Sequence, residues 1–423
     1  MLTDFSKRLT LLILLLVLIP VTSVLAAPDG EDESNIISEM RPPKETESYT
    51  RFLPIIHNEY IIHPTFPAPL KLSGSPPIDF DAVRRELFQQ GLQLSYNKIG
   101  FHVGPGGNMT GIGDWMADLD AAGVPFFLKS ADVAGPLYEG QLLAQASGVP
   151  HTLVFRLTTA GQNDGYDYDV PNYSLTPTAA AAVHWQHHIA KFPPELDPEY
   201  VWIETINEVD KNRSEWLAEF ATATAQLALA DGYKWAAFGW SSGEPEPEQW
   251  RSPAMLDFLE MAAQHPNQLA IALHEYSYST DNIGNAYPYL IGRFQDLFQA
   301  CDENQILRPT VLITEWGWES TGVADTGAAL NDIKWAAWLY AAYPQIRGAA
   351  IWYLGGGYSG IASQAQRLIA PVRDYSLSSY FGYHPGYGVI DPSIFNPTSN
   401  QSAVLLPLTS SRNDLRRVRP SAR

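Results

Sequence analysis

The sequence predicts an α/β protein built as a single (β/α)8 barrel, and three observations support this fold class. The chain has 423 residues, of which 45% are hydrophobic, so it contains enough apolar material for one large core. Eight short apolar runs alternate with longer segments of helical pattern, which is the order expected of βα units around a parallel sheet. The last five runs start at residues 201, 235, 269, 311 and 349, which lie 34, 34, 42 and 38 positions apart. The predicted strands cover residues 98–102, 124–129, 152–157, 201–206, 235–240, 269–274, 311–314 and 349–353.

The first 27 residues have the pattern of a signal peptide. Lys7 and Arg8 precede an apolar run over residues 11–19, and the small residues Ala26 and Ala27 follow it. The run is shorter than the ~20 residues that cross a bilayer. We therefore expect residues 1–27 to direct export and to be cleaved, with an uncleaved anchor as the alternative.

Three further segments complete the predicted domain organisation. Residues 28–77 read as an acidic, proline-containing linker and N-terminal extension, residues 78–395 as the barrel domain, and residues 396–423 as a flexible C-terminal tail. Between the predicted strands, segments such as residues 213–229 carry apolar side chains largely on one helical face. A doubly wound parallel sheet is the alternative fold, but residues 104–107 lack the glycine spacing of a nucleotide-binding turn.

Composition limits the partners. Lys and Arg number 27 against 46 Asp and Glu, a formal charge of -19, and such a surface repels nucleic acid and anionic lipid. We expect neither partner, and no stable membrane insertion once the signal peptide is removed. Cys301 is the single cysteine, so an internal disulfide is excluded, and export without disulfides favours a bacterial cell envelope or exterior. We expect no metal or other cofactor, because His184, His187 and His188 share one predicted helix without the glutamate of a metalloprotease motif; we place them at the helix surface.

Two glutamates stand where predicted strands end. The fourth run ends in Asn207-Glu208 and the seventh ends at Glu315, and in such barrels reactive groups lie at the C-terminal ends of the strands. Two carboxyls in different environments can protonate a leaving group and stabilise a cationic centre, which is what glycoside cleavage requires. The alternative is structural: Glu208 as a helix-start carboxylate and Glu315 as a salt-bridged rim residue.

From residue 98 to about residue 357 the sequence resembles the clan A glycoside hydrolases. These enzymes have (β/α)8 barrels, also called TIM barrels, with an Asn-Glu pair after strand four and a second Glu after strand seven. The resemblance implies that Glu208 is the protonated acid/base, that Glu315 is the nucleophile, and that Asn207 binds the sugar hydroxyl beside the reacting carbon. A distance of about 5–5.5 Å between the two carboxyls would give retention of configuration.

Two further strand ends match this resemblance to different degrees. The sixth run ends in His274-Glu275-Tyr276, which resembles a strand-six element whose tyrosine hydroxyl orients the nucleophile. Alternation puts His274 and Tyr276 on the same side of the strand, although a satisfied histidine and a packing tyrosine are the alternative. Arg156 lies late on the third predicted strand and is a candidate to hold a carboxylate ionised, since a nearby guanidinium lowers the pKa of an acid. The family often supplies such an arginine from the second strand. Either the strand count is wrong or Arg156 has another role, and a structural ion pair is an equal alternative.

Aromatic residues near strand ends are candidates for sugar binding, because the C–H face of a pyranose stacks on flat rings. Trp352, at the end of the eighth run, resembles the strand-eight tryptophan that forms the floor of the subsite beside the nucleophile. Trp240 and Trp316 are predicted to contact substrate as well, with core packing as the alternative. Residues 159–194 are a candidate cleft wall. Further candidate contacts are Trp318, Tyr358, His102, Lys129 and Asp132.

The sequence therefore predicts a retaining glycoside hydrolase whose partner is a β-linked poly- or oligosaccharide. The alternative is a carbohydrate-binding barrel without catalytic activity, and the presence of both carboxylates favours the enzyme. A serine hydrolase has no support, because Ser241, Ser242 and Gly243 after the fifth run lack the strand-to-helix context of a nucleophile elbow.

Overall fold

The computed structural model describes residues 64–386 and 388–397 and the backbone of residues 406–407. The predicted signal peptide over residues 1–27 and most of the predicted linker lie outside these residues, so both stay predictions. Among the described helices, none is both long enough and apolar enough to cross a membrane.

Eight parallel strands close into a barrel, which confirms the predicted fold. Each predicted run has its strand, and the order around the barrel is β10-β3-β4-β5-β6-β7-β8-β9. The count made from the sequence is therefore correct, including the third strand that carries Arg156. The barrel strands are β3 (Ile99–Val103), β4 (Phe127–Ala131), β5 (Thr152–Arg156), β6 (Val201–Glu204), β7 (Lys234–Trp240), β8 (Leu269–Tyr276), β9 (Thr310–Gly317) and β10 (Ile346–Ile351).

Helices alternate with the barrel strands and cover the outside of the barrel. Several begin at a residue whose side chain accepts a hydrogen bond from the first turn, as Thr176 and Asp325 do. The described helices are α1 (Phe80–Gln89), α2 (Ile112–Ala121), α3 (Gly135–Ser147), α4 (Pro177–Ala190), α5 (Ser214–Asp231), α6 (Pro253–Gln264), α7 (Phe294–Glu303), α8 (Thr326–Ala341), α9 (Ile361–Gln366) and α10 (Ile369–Ser378).

A small sheet accompanies the barrel and begins before the predicted domain boundary. Strands β1 (Leu70–Ser73), β2 (Gln93–Tyr96) and β11 (Ser379–Tyr383) form it, with β11 antiparallel to both others. The two-residue strand β12 (Leu406–Pro407) pairs with β1. The folded part therefore starts earlier than residue 78, and part of the predicted tail after residue 395 pairs with the sheet.

The inside of the barrel has an apolar layer below a charged layer. A cluster separate from the main core takes one or two side chains from each of seven neighbouring strands, as expected of residues that fill a barrel. Two positions further along their strands lie Lys129, Glu204 and His274, which alternation places on the same inner face, nearer the C-terminal ends. The cluster consists of Phe127, Val154, Trp202, Ala236, Ala270, Ala272, Leu312 and Ala350.

Candidate active site

The two predicted carboxylates meet at the C-terminal end of the barrel. One oxygen of Glu208, one oxygen of Glu315 and one ring nitrogen of His274 all lie within 4.8 Å of one another. We call these three residues the carboxylate cluster. His274 Nδ1 is 3.3 Å from Glu208 Oε1 and 3.5 Å from Glu315 Oε2, so the imidazole bridges the two acids.

Glu315 is buried among groups that stabilise its negative charge. The Tyr276 hydroxyl donates to Glu315 Oε2 at 2.8 Å, while Lys129 Nζ and Arg156 Nη1 lie 3.2 and 3.6 Å from Oε1. Burial would raise the pKa of Glu315, but the positive charges of His274, Lys129 and Arg156 outweigh it and hold that pKa well below its usual value. Glu315 is therefore an anion across the neutral pH range.

His274 has a carboxylate on each side, which favours its charged form. Its Nε2 lies 3.9 Å from Glu204 Oε1, and its Nδ1 faces Glu208 and Glu315. Burial lowers the pKa of His274, yet the negative charges of Glu315, Glu204 and Glu208 raise it to about 9. Its partner on the same strand, Tyr276, has its ring 6.4 Å away, and the two share the predicted side of β8.

Lys129 and Glu204 form a buried ion pair beneath the cluster. Both side chains are fully enclosed, with 3.0 Å between Lys129 Nζ and Glu204 Oε2. Thr314 Oγ1 donates to Glu204 Oε1 at 3.3 Å. The sequence predicts only a cleft contact for Lys129 and does not single out Glu204. Each of two almost entirely apolar strands contains one charged residue. Because a buried charge needs a partner, this pattern could have predicted the ion pair.

Glu208 differs from Glu315 in exposure and in backbone geometry. Its side chain is 44% exposed, and its φ of +46° is in the left-handed region, which is rare for a residue other than glycine and recurs at functional sites. Ser241 Oγ donates to Glu208 Oε1 at 3.1 Å. The contact with His274 lowers the pKa of Glu208, against the opposing effects of burial and of the charge on Glu315. The contact with His274 thus favours the ionised form of Glu208 in the resting site, and its predicted role as proton donor stays a prediction.

Arg156 combines the two roles that the sequence analysis left open. It forms an ion pair with Asp169 and also approaches Glu315. Asp169 in turn accepts a hydrogen bond from the backbone N–H of Thr159 at 3.0 Å. The arginine thus ties the loop after β5 to the carboxylate that it helps to keep ionised.

Asn207 offers an unused acceptor beside Glu208. Its backbone N–H donates to Asp169 O at 2.8 Å, which fixes the chain at this point. Its side-chain Oδ1 is buried and has no hydrogen-bond partner. A buried amide oxygen without a partner costs free energy, so a ligand hydroxyl or water is expected to satisfy it.

Trp352 lies at the site, among other aromatic rings. It is half-buried, stacks on His102 with ring centroids 5.0 Å apart, and meets Tyr276 edge-on at 6.4 Å. His102 is buried and neither of its ring nitrogens has a hydrogen-bond partner. Tyr358 is 49% exposed and meets Trp352 edge-on at 5.0 Å.

The other two predicted sugar-binding tryptophans are core residues. Trp240 and Trp316 have no exposed surface. Trp240 packs against Phe238 and Trp250, and Trp316 packs against the equally buried Trp318. No face of these rings is free for a sugar, so their prediction as substrate contacts is wrong. Position after a strand did not distinguish rings facing the cleft from rings facing the helices.

The predicted helix-surface histidines and cleft-wall tyrosines pack against each other. His184 and His188 are fully buried, which corrects their predicted surface location. Tyr166 stacks on His187 and its hydroxyl is 2.8 Å from His184 Nδ1, while Tyr168 is buried. Tyr168 therefore has no surface free for a sugar, and both tyrosines help to hold the loop in place.

Asp132, a predicted cleft contact, has a structural role, and the serines after β7 do not form a nucleophile elbow. Asp132 accepts hydrogen bonds from the backbone N–H of Thr158 at 2.9 Å and from Gln162 Nε2 at 3.1 Å, so it braces the loop after β5. Residues 239–243 match the letters of the Gly-x-Ser-x-Gly elbow, but Ser241 donates to Glu208 and the next α-helix, α6, begins only at Pro253.

The carboxylate cluster is the one group of potential metal ligands that the described residues bring within 4.8 Å of one another. Lys129 and Arg156, both within 4 Å of Glu315, place positive charge where a cation would sit. The residues present therefore fit an acid pair better than a metal centre.

No protein-family model matches the chain, and no curated protein sequence is similar to it. Solved structures with a related shape include the YdjI aldolase from Escherichia coli K12 (9% identity, TM-score 0.32, 71% of this chain and 96% of that chain). Others are a putative fructose-1,6-biphosphate aldolase from Coccidioides immitis (11%, 0.30, 71% and 97%) and a mutant tryptophan synthase alpha-subunit from Pyrococcus furiosus (10%, 0.28, 67% and 99%). Similarity this low carries no argument about activity. The barrel fold is shown by its own closed strand order. The resemblance to clan A glycoside hydrolases is supported only by the residues of this chain.

Proposed function

We propose that this protein is a retaining glycoside hydrolase that cleaves O-glycosidic bonds of a β-linked poly- or oligosaccharide by double displacement. One observation carries the proposal: an oxygen of Glu208 and an oxygen of Glu315 lie within 4.8 Å of each other. Retaining enzymes have carboxyls about 5–5.5 Å apart, whereas inverting enzymes need about 6.5–9.5 Å to admit a water between them. The short distance favours direct attack by one carboxylate on the sugar.

The proposed reaction has two steps. Glu315 attacks the anomeric carbon and forms an ester while the bond to the leaving oxygen breaks and Glu208 gives that oxygen its proton. Water then attacks the anomeric carbon, Glu208 accepts its proton, and the ester bond to Glu315 breaks. Three cationic neighbours keep Glu315 ionised for the attack despite its burial, and the hydrogen bond from Tyr276 fixes its orientation.

The groups around the pair suit a neutral sugar. Asn207 Oδ1 lacks a hydrogen-bond partner, and the half-buried ring of Trp352 lies beside Tyr276, the hydrogen-bond donor to Glu315. A sugar ring offers the matching surfaces, since its hydroxyls bind polar groups and its C–H face packs on an aromatic ring. We propose that the protein is exported to the bacterial cell envelope or exterior, where it meets such polymers; this part rests on residues 1–27 of the sequence.

The rival function is a carbohydrate-binding barrel without catalysis. A panel of β-glycans and aryl β-glycosides, incubated with the full chain, separates the two. The variants are Glu315→Gln and Glu208→Gln, with Glu260→Gln on the exposed face of α6 as the matched control. Circular dichroism checks that each variant is folded, and proton NMR identifies the first anomer released.

The proposal requires three results together. At least one substrate is cleaved with the anomeric configuration retained, both active-site variants lose at least ~10²-fold in rate, and Glu260→Gln keeps the wild-type rate. Inversion of configuration, or full activity in either active-site variant, would overturn the mechanism. Saturable sugar binding without any cleavage would support the binding barrel instead.

A further inference from the structure

An exposed tyrosine lies on the Glu208 side of the site and has no role in the reaction described above. Tyr278 comes two residues after the end of β8, and 47% of its surface is exposed. Its ring stacks on Tyr276, with centroids 6.3 Å apart and an angle of 22° between the planes. One face of the ring is therefore supported by Tyr276, and a large part of the residue remains open to solvent.

The backbone holds Tyr278 in a costly conformation. Its φ is +53°, in the left-handed region, where a bulky side chain is an outlier. Such residues persist only where surrounding contacts enforce them, and they concentrate at functional sites. Glu208, with φ of +46°, and Tyr358, with φ of +48°, share this feature at the same end of the barrel.

Neighbouring groups place Tyr278 beside the proposed acid. Ser241 donates to Glu208, and Ser242 Oγ accepts from the backbone N–H of Tyr276 at 2.6 Å. Burial raises the pKa of Tyr278, hydrogen bonds with Ser241 and Ser242 lower it, and the charge of Glu208 raises it. The phenol is thus within reach of the two serines that follow β7.

Tyr358 is a second exposed tyrosine at this end of the barrel. Its ring meets that of Trp352 at 5.0 Å, and the resemblance implies that Trp352 forms the floor of the subsite beside the nucleophile. In a double displacement the sugar that becomes esterified lies over the nucleophile, and the leaving group lies beside the acid. Tyr358 therefore belongs to the side of the retained sugar, and Tyr278 to the side of the leaving group.

We propose that Tyr278 is the aromatic platform of the leaving-group subsite and that this subsite takes a neutral sugar ring. The inference rests on the proposed hydrolase function. An exposed ring stacked on a second ring offers a flat apolar face to a pyranose. Glu208 is uncharged while it carries its proton, but the carboxylate of Glu244 also acts on Tyr278 and repels a uronate or a phosphorylated leaving group.

Two substrates with the same retained sugar test the platform. One is a β-linked oligosaccharide, and the other is the β-glycosyl fluoride, whose leaving group is a single atom that cannot reach Tyr278. The full chain is compared with Tyr278→Ala, with Tyr278→Phe, and with Phe88→Ala as a control that removes another exposed ring, on α1. We expect Tyr278→Ala to lower kcat/KM for the oligosaccharide about tenfold and for the fluoride less than about twofold. Tyr278→Phe and Phe88→Ala should stay within about threefold of wild type on both substrates.

The outcomes separate the platform from the hydrolase. An equal loss on both substrates, or no loss on either, overturns the platform while leaving the hydrolase intact. Equal rates for oligosaccharides with a neutral sugar and with a uronic acid at the leaving position overturn the choice of a neutral ring. If wild type cleaves neither substrate, the proposed function fails, and the affinity for the oligosaccharide then tests the platform. Equal affinity of wild type and Tyr278→Ala overturns the platform. Weaker binding by the variant supports the platform.

Discussion

Replacing Lys129 by methionine removes the ammonium that separates two buried carboxylates. Lys129 Nζ lies 3.0 Å from Glu204 and 3.2 Å from Glu315, and the three side chains are between 0% and 6% exposed, so solvent screens these pairs little. Methionine has a similar length and no charge. Breaking a buried pair by removing one partner costs about 3–5 kcal/mol, because the other charge stays buried. We expect Lys129→Met to lower the free energy of unfolding by that amount.

The same variant should shift the pH dependence of the reaction. The pKa of Glu315 lies below its usual value partly because of Lys129, so removing Lys129 raises it. The nucleophile acts only when ionised, and activity falls as the pH drops through its pKa. A nearby cation lowers the pKa of a carboxyl by about 1–3 units. Because Arg156 and His274 remain, we expect the acid limb of kcat/KM to move up by about 1 pH unit.

Urea unfolding and a pH profile of kcat/KM measure these two effects separately. In Lys129→Met/Glu204→Gln the buried carboxylate that lost its nearest cation is gone, so most of the lost stability should return. Glu315 still lacks its cation there, so the shifted acid limb should remain. Lys334→Met, on the exposed face of α8, is the control for losing a lysine. Unchanged stability in Lys129→Met, or an acid limb that returns to its original pH in the double variant, would refute the reasoning.

Three further predictions test the loops, the outer core and the metal question. Gly107→Ala places a Cβ 2.3 Å from the backbone that follows Trp352, whereas Gly148→Ala has a similar left-handed φ with open space around it. We expect both variants to lose about 1–2 kcal/mol of stability because of the backbone conformation. The clash should cost Gly107→Ala about 1–3 kcal/mol more and raise its KM. Burial raises the pKa of Glu275, which accepts a 2.6 Å hydrogen bond from Tyr340, to about 7. Its folded pKa thus exceeds the unfolded value of about 4.3, so stability should fall as the pH rises between the two, and thermal unfolding of Glu275→Gln should lack that fall. A chelator should leave the hydrolysis rate unchanged, and a loss of rate that an added divalent ion restores would assign the carboxylate cluster to a metal.

The barrel was predictable because its strands are apolar on both faces. Strands covered by helices outside and packed inside appear as short continuous apolar runs, and eight such runs with helical segments between them leave few other folds. Glu208 and Glu315 followed from position alone, since the end of a strand is visible in the sequence. The small sheet was missed because β1 and β11 are about 300 positions apart and have no local signal that they pair.

The charges beneath the site were harder to assign because pairing across the barrel is a tertiary property. Lys129 and Glu204 each look like an isolated polar interruption of a strand, and only closure of the barrel brings them to 3.0 Å. The predictions for Trp240 and Trp316 were wrong because the local register of a strand also depends on the folded barrel. β7 and β9 both have a register shift near these residues, and a shift of one residue moves a side chain to the other face of a strand.

The surroundings of the two carboxylates explain how one of them can serve as both acid and base. The hydrogen bond with His274 lowers the pKa of Glu208, whereas burial and the negative charge of Glu315 raise it. In the proposed reaction Glu315 loses its charge when it forms an ester with the sugar, so its contribution to the pKa of Glu208 disappears at that moment. Glu208 then holds a proton less strongly than it did in the first step. Donation in the first step requires the protonated form of Glu208, and the fall in its pKa on esterification then favours its ionised form, which is the base of the second step.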